Sequence, residues 1–269
     1  MQHPICETCG TQFAARAEPP HACPVCEDDR QYVGWEGQRW TTHEALLQRF
    51  RLRVGEDAGL LAIAMEGAFA IPQRMLLLPT EAGNILWESL SLVTPEAVAT
   101  LRERGGVERI VISHPHFYSS MVEWSEALGG VPILLHANDR AWVQRPSPCI
   151  QHWSGDRLPL GAGVTLVRSG GHFPGSTVLH WASGPRGGGA LFVGDSPHVA
   201  SDRRGVSFLH SVPNAVPLAP REVSAMRERL AGLRYEDVYG YSWGRNIIGH
   251  AQAAVAASFE RHLRIAASV

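Results

Sequence analysis

The sequence of 269 residues contains no lysine, so arginine supplies all 24 of its basic side chains. Aspartate and glutamate together number 26, and the formal net charge is −2. The chain therefore lacks the basic surplus that attracts nucleic acids or anionic membranes. We draw no function from the missing lysine, and we expect a small-molecule substrate, no nucleic acid and no membrane.

Long apolar runs are also missing. No segment approaches the ~20 consecutive apolar residues that cross a bilayer. The start, MQHPICETCG, has neither the basic region nor the apolar region of a secretory signal. These absences predict a cytoplasmic protein, and in that reducing compartment clustered cysteines bind metals more often than they form disulfides.

Cysteine is scarce outside one short region. Four of the five cysteines lie in the first 26 residues, as two C-x2-C pairs. Two such pairs can converge on one tetrahedral zinc ion, and four thiolates leave no open position for catalysis. We predict a structural zinc held by Cys6, Cys9, Cys23 and Cys26, with Gly10 relieving crowding behind the first pair. Two disulfides or a rubredoxin-like iron site are the alternatives.

The composition divides the chain into three parts. We predict a zinc-ribbon-like module over residues 1–32, a linker with a short helix over 33–51, and a main domain over 52–269. The linker stretch TTHEALLQRF begins with a threonine cap and carries apolar residues at helical spacing, which predicts the helix. The ribbon is also a possible surface for a protein partner.

The main domain mixes strands and helices. Apolar runs punctuated by glycine and proline over 58–90 predict an early block of strands. Capping signals and helical spacing predict helices over 94–105, 119–130, 138–144, 219–233 and 246–265, with strands between them. The order predicts a layered α/β fold.

Metal-type side chains follow three of the predicted strands. His114 and His116 form an HxH pair after VERIVIS, His172 lies in a glycine-rich turn, and Asp195 ends ALFVGD. In an extended HxH both imidazoles point to the same side, because side-chain direction on a strand has a period of two. Each element is a weak signal alone, but their order and their positions at strand ends predict convergence on a metal ion.

This order resembles the metallo-β-lactamase superfamily, over most of residues 52–269. The resemblance implies an αββα sandwich, in which two mixed sheets are flanked by helices. With a small N-terminal zinc ribbon joined to such a domain, the chain resembles a subgroup of the same superfamily. The resemblance further implies that His114, His116 and His172 hold the first metal ion, and that Asp195 bridges or completes the site.

Departures from the superfamily pattern affect the second metal ion. The longer motif is HxHxDH, and Tyr118 and Ser119 stand where its Asp and last His belong. The final metal histidine falls in YGYSWGRN, where Tyr241, Trp243 and Arg245 stand instead. We therefore expect one ion, of zinc, iron or manganese, held by three imidazoles and a carboxylate with room for water.

These residues predict a metal-dependent hydrolase that cleaves an ester, thioester, lactone or amide bond through metal-bound water. Asp195 would orient that water. Tyr118 would donate a proton or orient the substrate, or else it would only fill the vacant second position. The alternatives are a mononuclear iron oxygenase-type enzyme of the same fold and a catalytically silent binding or scaffold protein.

Other polar side chains near this pattern have less definite roles. Ser120 and Glu123 have the spacing of a capping box, which assigns Glu123 to helix capping. His198 could reach the cleft from the loop after Asp195, and His136 could support the site or be structural. His250 is expected inside the last helix, and residues 202–214 are expected to cover the site as an irregular segment.

Overall fold

In the computed structural model of the protein, which describes residues 1–268, two β-sheets stack face to face. Helices cover both outer faces, which gives four layers in the order αββα. The predicted layered α/β fold is therefore confirmed.

The N-terminal segment is built from short elements around the cysteines. Strand β1 (Ile5–Cys6) pairs antiparallel with β2 (Trp40–Thr41), and the helices are α1 (Pro24–Glu27) and α2 (His43–Arg49). The Thr42 side chain caps α2 by accepting a hydrogen bond from the backbone N–H of Ala45. The short helix predicted here is confirmed, whereas the boundaries at residues 32 and 51 stay a prediction.

The first large sheet has seven strands that lie side by side in chain order. They are β3 (Arg51–Asp57), β4 (Leu60–Glu66), β5 (Arg74–Thr80), β6 (Gly83–Trp87), β7 (Arg109–Val111), β8 (Ile133–His136) and β9 (Ile150–Trp153). The first four are antiparallel, and the last three join in parallel. Helices α3 (Pro95–Glu103) and α4 (Met121–Ala127) make the crossovers on either side of β7.

The second sheet begins with four antiparallel strands, β10 (Arg157–Gly161), β11 (Val164–Arg168), β12 (Thr177–Trp181) and β13 (Ala190–Phe192). Two short hairpins follow, β14 (His198–Val199) with β15 (Val206–Ser207) and β16 (Leu209–Ser211) with β17 (Val216–Pro217). Helix α5 (Pro220–Leu230) leads to β18 (Asp237–Tyr239), which joins β13 in parallel. Strand β19 (Asn246–Ile247) and helix α6 (Ala251–Ala267) complete the chain.

Strand β5 shows how the sequence builds this sandwich. Met75 and Leu77 pack in the cluster that includes α3 and α4, whereas Leu76 and Leu78 pack between the two sheets. Successive side chains on a strand point to opposite faces, so a strand covered on both faces needs apolar residues at every position. The unbroken apolar run of β5 is the result.

The last helix begins later than predicted. Asn246, the first residue of the predicted helix, lies in β19 opposite Tyr239, and α6 begins at Ala251 with His250 at the N-cap. The side chain of Asn246 instead accepts a hydrogen bond from Arg74 at 2.7 Å. The prediction that His250 lies inside the helix is therefore wrong, because this tertiary contact draws Asn246 into the sheet.

The capping box predicted for α4 is also wrong. The hydroxyl of Ser120 donates to the carbonyl of Ser91 at 3.0 Å and does not cap the helix. Glu123 accepts a hydrogen bond from the Gln12 side chain at 2.6 Å. Both residues therefore bind neighbours that are distant in sequence, and Glu123 links α4 to the cysteine segment.

A buried ion pair within the first sheet anchors one end of the second sheet. Arg74 of β5 and Asp57 at the end of β3 are in contact and both are buried. Arg74 also donates to the carbonyl of Gly240 at 2.9 Å, and Asp57 accepts from the backbone N–H of Gly244 at 2.7 Å. These bonds hold the turn between β18 and β19 against the first sheet.

Replacing Asp57 by Ala should destabilise the protein, because it leaves the Arg74 guanidinium buried without its counter-ion. Removing one partner of a buried pair typically costs about 3–5 kcal/mol, and the free energy of unfolding in urea should fall by that amount. The double variant Asp57→Leu with Arg74→Met removes both charges and should recover much of the loss. An Asp57→Ala protein that unfolds like the wild type would contradict this account.

Candidate metal centres

The four N-terminal cysteines converge on one point. All four are buried and free of disulfides, and their sulfur atoms lie within 4.8 Å of one another. The Sγ atoms of Cys6 and Cys26 are 3.5 Å apart, and those of Cys9 and Cys23 are 3.7 Å apart. Four sulfurs at about 2.3 Å from a tetrahedral zinc ion would be about 3.8 Å apart. The cluster therefore has the dimensions of a four-thiolate metal site, and it contains no disulfide.

Gly10 lies where this cysteine ribbon meets the rest of the protein. Its φ is +81°, and an added Cβ would lie 2.5 Å from the hydroxyl oxygen of Ser91. The same hydroxyl donates to the Gly10 carbonyl at 2.9 Å. Glycine is thus required for the close approach between ribbon and main domain, in addition to any relief behind the thiolates.

Strand ends bring the second donor set together. His114 follows β7 of the first sheet and Asp195 follows β13 of the second, while His172 lies in the connection between β11 and β12. The backbone N–H of Thr177, which starts β12, donates to the carbonyl of Ser113 at 2.9 Å. Residues far apart in sequence therefore meet at one edge of the sandwich.

The HxH pair is not extended. His114 has extended backbone angles, but Pro115–Phe117 form one turn of 3-10 helix, with His114 at its N-cap. The expectation that strand periodicity would align the two imidazoles was wrong, because Pro115 starts a helical turn instead. This turn brings His116 back toward His114, and their ring centroids are 5.2 Å apart.

The donor atoms of His114, His116, His172 and Asp195 all lie within 4.8 Å of one another, and all four residues are buried. The Asp195 Oδ2 atom is 3.2 Å from His114 Nε2 and 3.7 Å from both His116 Nδ1 and His172 Nε2. His116 Nδ1 and His172 Nε2 are 3.1 Å apart. Ligands at about 2.0 Å from a tetrahedral zinc ion lie about 3.3 Å apart. These spacings fit one ion.

The outer ring atoms of two histidines have partners that orient them. His114 Nδ1 lies 2.8 Å from the hydroxyl of Ser113. The Nδ1–H of His172 donates to the carbonyl of His210 at 2.7 Å. This bond leaves the Nε2 lone pair of His172 directed at the other donors, as in metal-ligating histidines.

Two glycines make the close packing possible. Gly171 has a φ of +80°, and an added Cβ would lie 2.9 Å from both Leu218 and Met226. A Cβ on Gly194 would collide with the Ser113 hydroxyl and lie 2.9 Å from His114 Nδ1. A glycine before each of the ligands His172 and Asp195 therefore lets the backbone reach the site.

The protonation states suit a cation. Burial lowers the pKa of His114 and, still further, that of His172, so both imidazoles are neutral. Burial opposes ionisation of Asp195, but contacts with His114, His116 and His198 outweigh it and hold the pKa of this carboxyl well below its usual value. Neutral imidazole and ionised carboxylate are the forms that bind metal ions.

Glu88 is a buried acid that sequence reasoning missed. It follows β6, and its Oε2 atom accepts the backbone N–H of Ser113 at 3.2 Å, directly behind His114. Burial raises the pKa of Glu88 to about 8. An acidic residue at the end of β6, next to the strand that carries HxH, was the signal available in the sequence.

A cavity of about 170 Å³ lies over the second donor set. His116 and Asp195 line it, together with Ala70, Ile71, Pro72, Val212, Pro213 and Tyr241, and with Thr8, Gln31 and Tyr32 of the ribbon. Val212 and Pro213 belong to the segment predicted to cover the site, so that prediction is confirmed. The segment is not irregular, however, because it contains β15 and β16.

Tyr118 and its neighbour lie away from this cavity. The Tyr118 side chain is buried in the cluster around the first sheet, and it is not one of the cavity-lining residues. Ser119 accepts a hydrogen bond from the Gln73 side chain at 2.7 Å. The catalytic role of Tyr118 stays a prediction, and its position favours packing.

The remaining candidates divide between the site and the periphery. His198 reaches the site, with its Nδ1 atom 3.5 Å from Asp195 Oδ1. The Nε2–H of His136 donates to the Gly155 carbonyl at 3.0 Å, and the ring packs on Trp153, which is a structural role. Where the superfamily places its last metal histidine, Tyr241 lines the cavity.

Metal analysis of two variants should separate the two centres. Cys23→Ser should remove the ion of the ribbon and destabilise residues 1–30 more than the main domain, because metal binding supplies folding free energy to so small a unit. His114→Ala should remove the other ion and leave the ribbon intact. Elemental analysis with hydrogen exchange measures both effects, and the same ion lost in both variants would contradict two separate sites.

The pH dependence of stability should reveal Glu88. Its folded-state pKa is raised above the unfolded value, so the folded protein retains this proton longer and stability falls as pH rises from about 4.5 to about 8. Between pH 5.5 and 8.5 we expect the free energy of unfolding of the wild type to fall by about 2–3 kcal/mol more than that of the Glu88→Gln variant. Urea unfolding at both pH values measures the difference, and equal losses would show that Glu88 is ionised in the folded state at neutral pH.

The chain has a relative in sequence over nearly its whole length. No family model matches the chain. Its sequence is 38% identical to the uncharacterised protein YmaE of Bacillus subtilis over 267 residues, which cover 98% of this chain and 97% of the relative. Among residues 1–268, none of the helices has the length and apolar character needed to cross a bilayer.

Solved structures identify the fold. The structure of DIM-1 metallo-β-lactamase superposes with a TM-score of 0.55 at 13% identity, covering 82% of this chain and 99% of that one. The structure of VMB-1 gives a TM-score of 0.55 at 11% identity, covering 81% of this chain and 97% of that one. The chain therefore belongs to the family of YmaE and has the metallo-β-lactamase fold, with a four-cysteine cluster near its N-terminus.

Proposed function

We propose that this protein is a metal-dependent hydrolase with one catalytic ion, held by His114, His116, His172 and Asp195. The observation that carries the proposal is this buried, correctly spaced donor set beneath a cavity. We further propose that the cysteine cluster holds a structural zinc ion. Its four free thiols support a reducing, cytoplasmic setting.

A bound divalent ion would supply Lewis-acid chemistry, because it polarises a carbonyl and lowers the pKa of water. The chain itself supplies the groups that orient the reactants. Asp195 Oδ1 has no hydrogen-bond partner within residues 1–268, and neither does His198 Nδ1 beside it. Asp195 can therefore accept a hydrogen bond from water, while His198 is placed to take up a proton from the same side.

One ion is favoured because the residues for a second are engaged elsewhere. Tyr118 lies in the core, and Ser119 is bonded to Gln73. Trp243 stacks with Arg53, whose guanidinium carbon is 3.8 Å from the ring centroid. Among the described residues 1–268, groups of three or more metal-type side chains occur at the two centres above and nowhere else.

The cavity favours a carbonyl substrate with an apolar part. Ile71, Pro213 and Tyr241 form its walls beside His116 and Asp195. An ester, thioester, lactone or amide places a polar carbonyl and an apolar substituent side by side, as this arrangement requires.

A panel of chromogenic esters, thioesters, lactones and amides tests the proposal. The wild type should hydrolyse at least one of them, and His114→Ala should lose both the ion and the activity. His21→Ala replaces an exposed histidine of the ribbon and should change neither. Full activity in His114→Ala would refute the assignment of the site.

The same assay decides the role of Tyr118. Since its ring is buried away from the cavity, Tyr118→Phe should keep the metal ion and change turnover less than about twofold. A loss of about 10²–10⁴-fold with the ion still bound would instead show that the hydroxyl takes part in acid–base catalysis.

A further inference from the structure

The cysteine ribbon forms one wall of the cavity over the metal-donor set. Gln31 and Tyr32 line the same cavity as His116 and Asp195. The ribbon is therefore part of the space in which a substrate would lie, and not only a stabilising appendage.

The ribbon segment that carries this wall is fastened from two sides. The Nε–H of Arg30 donates to the carbonyl of His172 at 2.6 Å. From the covering segment, the hydroxyl of Ser211 donates to the Arg30 carbonyl at 3.0 Å, and the Asn214 side chain donates to the Gln31 carbonyl at 3.2 Å. The backbone of Gln31 is thus fixed relative to a metal ligand.

The side chain of Gln31 is buried without a complete set of partners. It is 6% exposed, and its Oε1 atom has no hydrogen-bond partner within residues 1–268. An unpaired buried carbonyl oxygen is unfavourable, and native structures keep such groups where water or a ligand completes them. His116 Nε2 and Asp195 Oδ1, which belong to the same cavity lining, are also unpaired.

We propose that Gln31 is a substrate-binding residue, whose carboxamide oxygen accepts a hydrogen bond from an N–H or O–H group of the substrate. The inference rests on the proposed hydrolase function. It narrows the substrate class to carbonyl compounds that carry such a donor near the bond to be cleaved. The apolar part of the substrate would lie against Tyr32 and Pro213.

Hydroxamates test the proposed role of Gln31 without a turnover assay, because they bind a metal ion directly through two oxygen atoms. Cobalt-substituted protein is titrated with benzohydroxamate, its 3-hydroxy and 4-hydroxy derivatives, and N-methylbenzohydroxamate, which lacks the N–H. Difference absorption spectra report binding at the histidine site, since a four-thiolate site has no open position.

The replacement Gln31→Met keeps the length of the side chain and removes its hydrogen bonding. Relative to the affinity for N-methylbenzohydroxamate, this variant should bind at least one of the donor-bearing hydroxamates about three- to tenfold more weakly, which is the size of one lost hydrogen bond. Gln2→Met makes the same change at an exposed glutamine of the ribbon. It should leave unchanged the ratio of each probe's affinity to the affinity for N-methylbenzohydroxamate. Gln31→Leu serves as a second variant if Gln31→Met does not fold.

If the ratios of affinity between the probes are the same in the wild type and in the Gln31 variants, the inference is overturned while the metal site itself stands. Failure of every hydroxamate to change the cobalt spectrum of the wild type would overturn the proposed metal site, and this inference with it. The two failures are therefore distinguishable.

Discussion

The buried carboxylate of Asp195, whose Oδ2 atom contacts the imidazole rings of His114, His116 and His172, is the constraint on which the rest of this structure depends. A carboxylate without solvent is costly unless cations or hydrogen bonds surround it. In the structure the imidazoles meet this need with hydrogen bonds, and a metal cation would satisfy all four members of the donor set, His114, His116, His172 and Asp195, together. The short turn after β7, the glycines before His172 and Asp195, and the pairing of Thr177 with Ser113 all serve to bring these donors together.

The ribbon is integrated with this centre through specific polar contacts. Arg30 reaches the backbone of His172, and its guanidinium carbon lies 4.6 Å from the ring centroid of Phe173, which itself packs on the metal-site histidines. Glu123 and Gln12 join the ribbon to α4. A small cysteine unit of this kind has little core of its own, so metal binding is the natural source of its stability. Stability of the ribbon and shape of the cavity are consequently linked.

The layered fold could be predicted from the sequence because strand hydrophobicity and helix caps are local signals. The grouping of His114, His116, His172 and Asp195 could also be predicted, because strand ends in this topology meet at one edge. The geometry within the group could not, since Pro115 starts a 3-10 turn that overrides strand periodicity. Gln31 and Glu123 were missed or misassigned for a different reason. Their partners depend on how the ribbon docks, and docking leaves no periodic pattern in the sequence.

Anomalous diffraction from crystals of the protein purified without added metal tests the central claim most directly. The account predicts two metal peaks, one among the sulfurs of Cys6, Cys9, Cys23 and Cys26, and one among His114, His116, His172 and Asp195. Measurements at the zinc, iron and manganese edges would identify each ion. The absence of a peak at the histidine site, or two peaks a few ångströms apart beside His116, would contradict a single-ion centre.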